Sequence, residues 1–315
     1  MVAGIVAVAA IAGAIAVRGL TSREALQSVS PASISVVEAL STAASAIASG
    51  LAAEPSSTPS APEIPPPARC PAEPMIDLRA PDPRPTSELM RLAKEDPRSL
   101  GSASIGSPTR GGLWGGVEMK GSEGIVRAGA YGWGTESVIL SIERAVREVR
   151  RCHPDSPKLY VGDIARERGG WLRPHRSHQS GLDADIGYFY KTGSVWYQRA
   201  TAENLDLPRT WTLIRALIEG GNVEMIFMDI SIQRLFQSYF ETLPETERPQ
   251  ADLFESPLRK DALIRHTWGH ASHFHVRFTD PAAVKLGQRI GRELQRIPKP
   301  RPPKPAPRRI KPRAR

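Results

Sequence analysis

Cysteine is scarce: the 315-residue chain has two, Cys70 and Cys152, and neither belongs to a CxxC pair. A zinc centre built from thiolates is therefore not expected. If the chain is exported the two can pair, fastening an N-terminal linker to a helix end; otherwise they are unrelated thiols, and the sequence leaves both readings open. The absence of HExxH removes the helix-borne zinc protease motif, and the absence of GxSxG removes the strand-to-helix serine elbow. The run Gly111–Gly116 is glycine-rich but lacks the Lys-Ser/Thr of a phosphate loop, so it reads as loop and hairpin. Long apolar runs are missing too. Residues 2–17 are apolar or Gly, short of the about 20 that a spanning helix needs. They have the length of a signal h-region without a basic residue ahead of it, so residues 1–20 read as a signal or signal-anchor segment, with membrane association left open.

Most of the chain also lacks a basic excess. The formal net charge is +9, but nine of the 42 Lys and Arg lie in residues 296–315, where there is no acid. The remainder balances the 33 Asp and Glu. Nucleic-acid binding by the body of the protein is not expected. The tail, rich in Pro as well, is expected to be disordered, with anionic envelope polymers as its favoured partner. Residues 21–99 run from Ala/Ser-rich to Pro-rich, too poor in large apolar groups to offset their ordering entropy, and are expected to form a linker. Residues 100–295 are left as the folded domain.

Within that domain Thr135 is placed to cap a helix running to about Arg151, with Val138, Ile142, Ala145, Val146 and Val149 as its apolar stripe. Leu159–Ile164 reads as a strand, and so does the alternating stretch after Gly181 that runs on to Tyr190. Asp206 and Pro208 open a second helix, stopped at Gly220-Gly221. Val223–Met228 is an apolar strand. Ile232, Leu235, Phe236, Tyr239, Phe240 and Leu243 follow at helical spacing, and His273–Phe278 is a last strand. Helices and strands mix without steady alternation, which predicts an α+β fold.

Six of the seven histidines gather in or beside two stretches, His175–Ile186 and His270–Arg277. Imidazole is a common metal ligand and a base near neutral pH. His273 and His275 are two apart, so on a strand they share a face while Phe274 turns into the core. One can ligate a metal while the other stands beside it, and His270 can approach from its loop. In the first stretch a bend at Gly181 can bring His178 level with Asp185. Asp183 shares that strand face and can orient a ligand. Two imidazoles and one carboxylate with an open fourth position is the pattern of catalytic zinc. It also suits non-haem iron, but the extra histidines, placed for acid–base work, favour zinc.

The motif running from Pro174 to Ile186, together with His270-x-x-His273-x-His275-Val276-Arg277, resembles the penicillin-insensitive murein endopeptidases. These belong to the group of zinc peptidases that also includes lysostaphin, D-Ala-D-Ala metallopeptidases and hedgehog domains. The likeness covers roughly residues 100 to 295. It implies a central antiparallel sheet flanked by helices, zinc held by His178, Asp185 and His275, and catalytic roles for His273 and His270. His175 matches a further histidine of the family, and Arg277 stands either to bind a substrate carboxylate or as a plain surface residue. The implied activity is hydrolysis of D-amino-acid amide bonds in peptidoglycan cross-links by an exported, periplasmic or envelope enzyme. The alternatives are a carboxypeptidase or dipeptidase on uncrosslinked D-Ala-D-Ala stems, or a non-catalytic metal-bound wall-binding domain. Residues 187–204 and 245–263 lie outside these motifs and can reshape substrate choice.

Overall fold

The structure is a computed structural model describing residues 70, 73–250, 252–257 and 259–298. The expected signal segment, most of the Ala/Ser/Pro-rich stretch and all but the first few residues of the basic tail lie outside the described residues.

Among the described residues the first helix, α1 (Thr86–Glu95), precedes a hairpin of β1 (Ala103–Ser107) and β2 (Arg110–Trp114). A small pair, β3 (Val117–Glu118) and β5 (Trp133–Gly134), brackets β4 (Ile125–Arg127). Then follow α2 (Glu136–Cys152), β6 (Leu159–Val161), β7 (Asp183–Gly187), α3 (Leu207–Glu219), β8 (Val223–Met228), α4 (Ile230–Glu241), β9 (Ile264–His266), β10 (His273–Phe278) and α5 (Pro281–Arg296). The main sheet has the order β4-β6-β7-β10-β8-β9. Its four central strands pair antiparallel, as expected, whereas both outer pairs, β4 with β6 and β8 with β9, are parallel. The fold is α+β with a mixed sheet.

Period-two patterning divides that sheet chemically. Ala184 and Ile186 of β7, Phe274 and Val276 of β10, and Ile226 and Met228 of β8 are fully buried in one core with the stripes of α2, α3 and α4. The alternate residues of β7 and β10 are the carboxylates and histidines, so the opposite face carries the chemistry. The helix stripes are placed as the spacing predicts: Val138, Ile142, Ala145, Val146 and Val149 are all buried. Asp206 caps α3 by accepting from the Arg209 amide.

Four expectations change. Thr135 occupies the N-cap of α2 but its side chain makes no capping bond. Its hydroxyl lies 3.2 Å from Ser137 Oγ, and the Glu136 amide donates to Ser102 Oγ instead. Strand β6 stops at Val161, and β7 stops at Gly187 rather than Tyr190. Tyr188, Phe189 and Tyr190 are all buried, so alternation ends where the chain turns into a loop under its own cover. Finally, packing does not begin at residue 100. Leu89 and Ala93 of α1 share a second apolar cluster with Leu286, Ile290 and Leu294 of α5. Ahead of α1, the guanidinium of Arg144, a buried residue of α2, donates to the carbonyls of Glu73, Pro74 and Ala216. A disulfide joins Cys70 to Cys152 at the end of α2, which resolves the pairing that the sequence left open.

Candidate metal centre

Strand register makes the first half of the site. On β7 and β10, Asp185 opposes His275 and Asp183 opposes Arg277. Directly opposed residues project from the same sheet face. His275 Nδ1 lies 3.1 Å from Asp185 Oδ1, while its Nε2 donates to Asp183 Oδ1 at 3.0 Å. The carboxylate of Asp183 therefore fixes the ring and aims Nδ1 into the site.

His178 arrives from the loop before β7. Its backbone sits in the left-handed region at φ 64°, unusual for a residue other than Gly. Asp183 holds it there, accepting the His178 amide on Oδ2 at 3.0 Å. The ring is anchored through Nδ1, which donates to the Ile164 carbonyl at 2.8 Å. A carbonyl only accepts, so Nδ1 carries the proton and Nε2 keeps its lone pair. That Nε2 lies 3.1 Å from His275 Nδ1 and 3.3 Å from Asp185 Oδ1. Gly181, at φ 76°, makes the bend; a Cβ there would come within 2.8 Å of Leu113. The hairpin braces the same loop, since the Gln179 amide donates to Pro108 O.

His178 Nε2, Asp185 Oδ1 and His275 Nδ1 thus form a triangle with sides of 3.1, 3.1 and 3.3 Å. A tetrahedral ion about 2.0–2.1 Å from its ligands spaces them about 3.3–3.4 Å apart. These atoms fit such an ion with small adjustment, leaving the fourth corner free. His175, His178 and Asp185 form a looser possible metal set, with donors within 4.8 Å of one another. The two sets share His178 and Asp185, and the tighter triangle fits a tetrahedral ion better. His175 instead faces the second oxygen of Asp185, with Nδ1 3.5 Å from Oδ2 and Nε2 3.3 Å from Asp163 Oδ2.

The carboxylates and imidazoles of the cluster shift one another. Burial acts to raise Asp185, yet His178 and His275 hold it well below the usual carboxylate range. Burial acts to lower His275, yet its bonds to Asp183 and Asp185 push it up to about 9. His273 differs. Burial pushes it down to about 4 against the pull of Asp185, which leaves a neutral ring. Its Nε2 is 3.8 Å from Asp185 Oδ1. His270 lies beside it at 5.0 Å between ring centroids, with Nδ1 near the carbonyls of Thr267 and Trp268.

A family model described as "Penicillin-insensitive murein endopeptidase" matches residues 104–290, which include every residue of this cluster. The chain belongs to that family. Among its members, the penicillin-insensitive murein endopeptidase of Haemophilus influenzae is 32% identical over 170 residues, or 48% of this chain and 52% of that protein. The one from Pectobacterium atrosepticum is 28% identical over 167 residues, covering 48% and 53% of the two chains. The chain thus spans about half the length of these family relatives.

The structure brings His175, His178, Asp183, Asp185, His270, His273 and His275 to one place, all from the two histidine stretches. Arg277 is partly buried, and its Nε donates to Asp183 Oδ1 at 2.8 Å. His153 and His266 stand outside the cluster, bonded to Thr212 and to the Ile230 amide. Sequence reasoning gave no role to Asp163, which faces His175 and accepts the Tyr131 amide at 3.0 Å. Nor did it find the Ile164 carbonyl, or Trp196 and Tyr197, whose rings lie against His273. Asp163 lies in the Leu159–Ile164 stretch, whose pattern reads only as a strand, and the other three left no pattern.

Proposed function

We propose that the chain is a zinc-dependent peptidase hydrolysing D-amino-acid amide bonds in the cross-links of peptidoglycan. The observation that carries this reading is the triangle of His178 Nε2, Asp185 Oδ1 and His275 Nδ1 with the neutral His273 ring beside it. Family membership supports the substrate class, as does the description of the two relatives as murein endopeptidases. An enzyme with that substrate works outside the cytoplasm, which agrees with an exported chain carrying a disulfide. The basic tail then has anionic envelope polymers within reach.

In this reading His178, Asp185 and His275 hold the zinc ion, with Asp183 and the Ile164 carbonyl keeping both rings in the ligating tautomer. Bound zinc would polarise the scissile carbonyl and acidify water to a pKa of roughly 7. His273 accepts the proton of the attacking water as the carbon–oxygen bond forms. It returns that proton to the leaving amine as the carbon–nitrogen bond breaks. Such general acid–base help is typically worth about 10²–10⁴-fold. His270, with Nδ1 donating to the Thr267 and Trp268 carbonyls, offers Nε2 to share the base role, and would donate to the developing oxyanion only when protonated. Arg277 acts through Asp183.

The test is incubation of the purified chain with sacculi and with soluble stem peptides, with and without chelator, products being identified by mass. Cross-linked dimers should split into monomers with one water added per cut, and chelation should stop it. Release of terminal D-Ala from uncrosslinked stems would instead assign a carboxypeptidase. Retention on sacculi with no cleavage would leave only a wall-binding domain.

A further inference from the structure

The loop between β7 and α3 carries Trp196 and Tyr197, and nothing in the metal cluster requires either. Yet the loop is tied down at many points. The Lys191 amide donates to Asn204 O at 2.9 Å, and Asn204 Oδ1 accepts the Thr201 amide at 2.8 Å. Asn204 Nδ2 donates to Arg199 O at 3.0 Å, and the Tyr190 hydroxyl donates to Gln198 O. The Ala200 amide donates to Ala271 O at 2.7 Å, joining the loop to the second histidine stretch two residues before His273.

Gly162 makes room for this arrangement on the histidine-bearing face, and Gly187 lies at ordinary contact distance. A Cβ on Gly162 would sit 2.3 Å from the Trp196 ring, and one on Gly187 would sit 3.6 Å from it. The indole therefore lies against bare backbone, beside Tyr160 at 6.5 Å and His273 at 6.0 Å between centroids. Tyr197 follows at φ 67°, a left-handed conformation unfavourable for a bulky residue. Its side is 64% open to solvent, yet its ring stacks on His273 at 5.3 Å with 22° between planes. An exposed tyrosine gains little by accepting an unfavourable backbone unless the stack itself matters.

We propose that Tyr197, backed by Trp196, is a positioning residue that fixes the ring plane of His273 and walls that side of the site. The inference rests on the proposed role of His273 as the proton carrier. Among the described residues the imidazole between Tyr197 and His270 has one side-chain hydrogen bond, to Ser272 Oγ at 3.2 Å from Nδ1, with Asp185 Oδ1 farther off at 3.8 Å from Nε2. Stacking supplies the missing restraint, and proton transfer is sensitive to a misplacement of about 1 Å.

The test uses the full chain with Tyr197→Ala and Tyr197→Phe. Metal content, steady-state kinetics on a soluble cross-linked muropeptide dimer, and NMR of the histidine ring protons are compared. Tyr197→Ala should keep its metal, lose roughly tenfold or more in kcat, and change KM by less than about twofold. Tyr197→Phe should restore most of kcat. The His273 ring protons should be shifted upfield by the stacked ring in wild type and Tyr197→Phe, and return toward ordinary positions in Tyr197→Ala. Unchanged kcat in Tyr197→Ala, a loss confined to KM, or no upfield shift in wild type overturns the inference. Wild-type turnover that survives chelation, or none at all, overturns the proposed function instead. The ring shift then still decides whether Tyr197 fixes His273.

Discussion

The two histidine stretches reach the same point by different means. The second lies on β10, between β7 and β8, and its donors are set by ladder register. The first ends on β7, where Asp185 is set by the same ladder, but it begins as a loop whose donor, His178, depends on individual bonds: its amide to Asp183, its Nδ1 to Ile164, and the Gln179 amide to Pro108. A strand donor keeps its place as long as the sheet forms. A loop donor keeps its place only while a few specific partners remain. Asp183 is the group common to both, holding the His275 ring with one oxygen and the His178 amide with the other.

The largest effect should therefore come from Asp183. Asp183→Ala removes the brace of both stretches at once, and metal affinity should fall roughly 10–100-fold, read by competition with a chromophoric chelator. A pH series separates the stretches further. His275 in the metal-free protein is pushed up to about 9, so below that pH a proton must leave before Nδ1 can bind an ion. Apparent zinc affinity should fall about tenfold for each pH unit below 9, with close to one proton released per ion by calorimetry. The sign for stability is the reverse. A raised histidine stabilises the metal-free fold at low pH, and that contribution is lost as pH rises through about 9. Gly181→Ala strains the first stretch alone. It should cost about 1–3 kcal/mol in denaturant unfolding and weaken metal binding, while amide exchange in β10 stays slow. The smallest effect on the centre should come from Cys70→Ser with Cys152→Ser. Stability falls by about 2–4 kcal/mol with metal affinity unchanged, because the disulfide lies at the end of α2, away from the cluster.

The same contrast explains what could be read in advance. Asp185, His273 and His275 were legible because a period of two is visible along a strand, and Phe274 and Val276 between them are buried as that period requires. The stripes of α2 and α4 were legible for the same kind of reason. Asp163 and Ile164 were not, because their partners lie 12 and 14 residues away across a loop with no periodicity. Tyr188, Phe189 and Tyr190 misled the strand reading because consecutive buried residues in a loop mimic an extended element. Helix α1 was taken into the linker because Pro-rich sequence precedes it, and its apolar residues find their partners only on α5, near the far end of the chain. Arg144 carries a charge in the core, held by backbone carbonyls of Glu73, Pro74 and Ala216 that no local pattern announces.

The centre itself is tested most directly by zinc stoichiometry and X-ray absorption on the purified chain and on His275→Ala. One zinc per chain is expected, with two imidazole nitrogens and a carboxylate oxygen at about 2.0–2.1 Å, and its loss in His275→Ala. Full zinc occupancy in folded His275→Ala, or a wild-type chain that cleaves sacculi with no bound metal, would contradict the account.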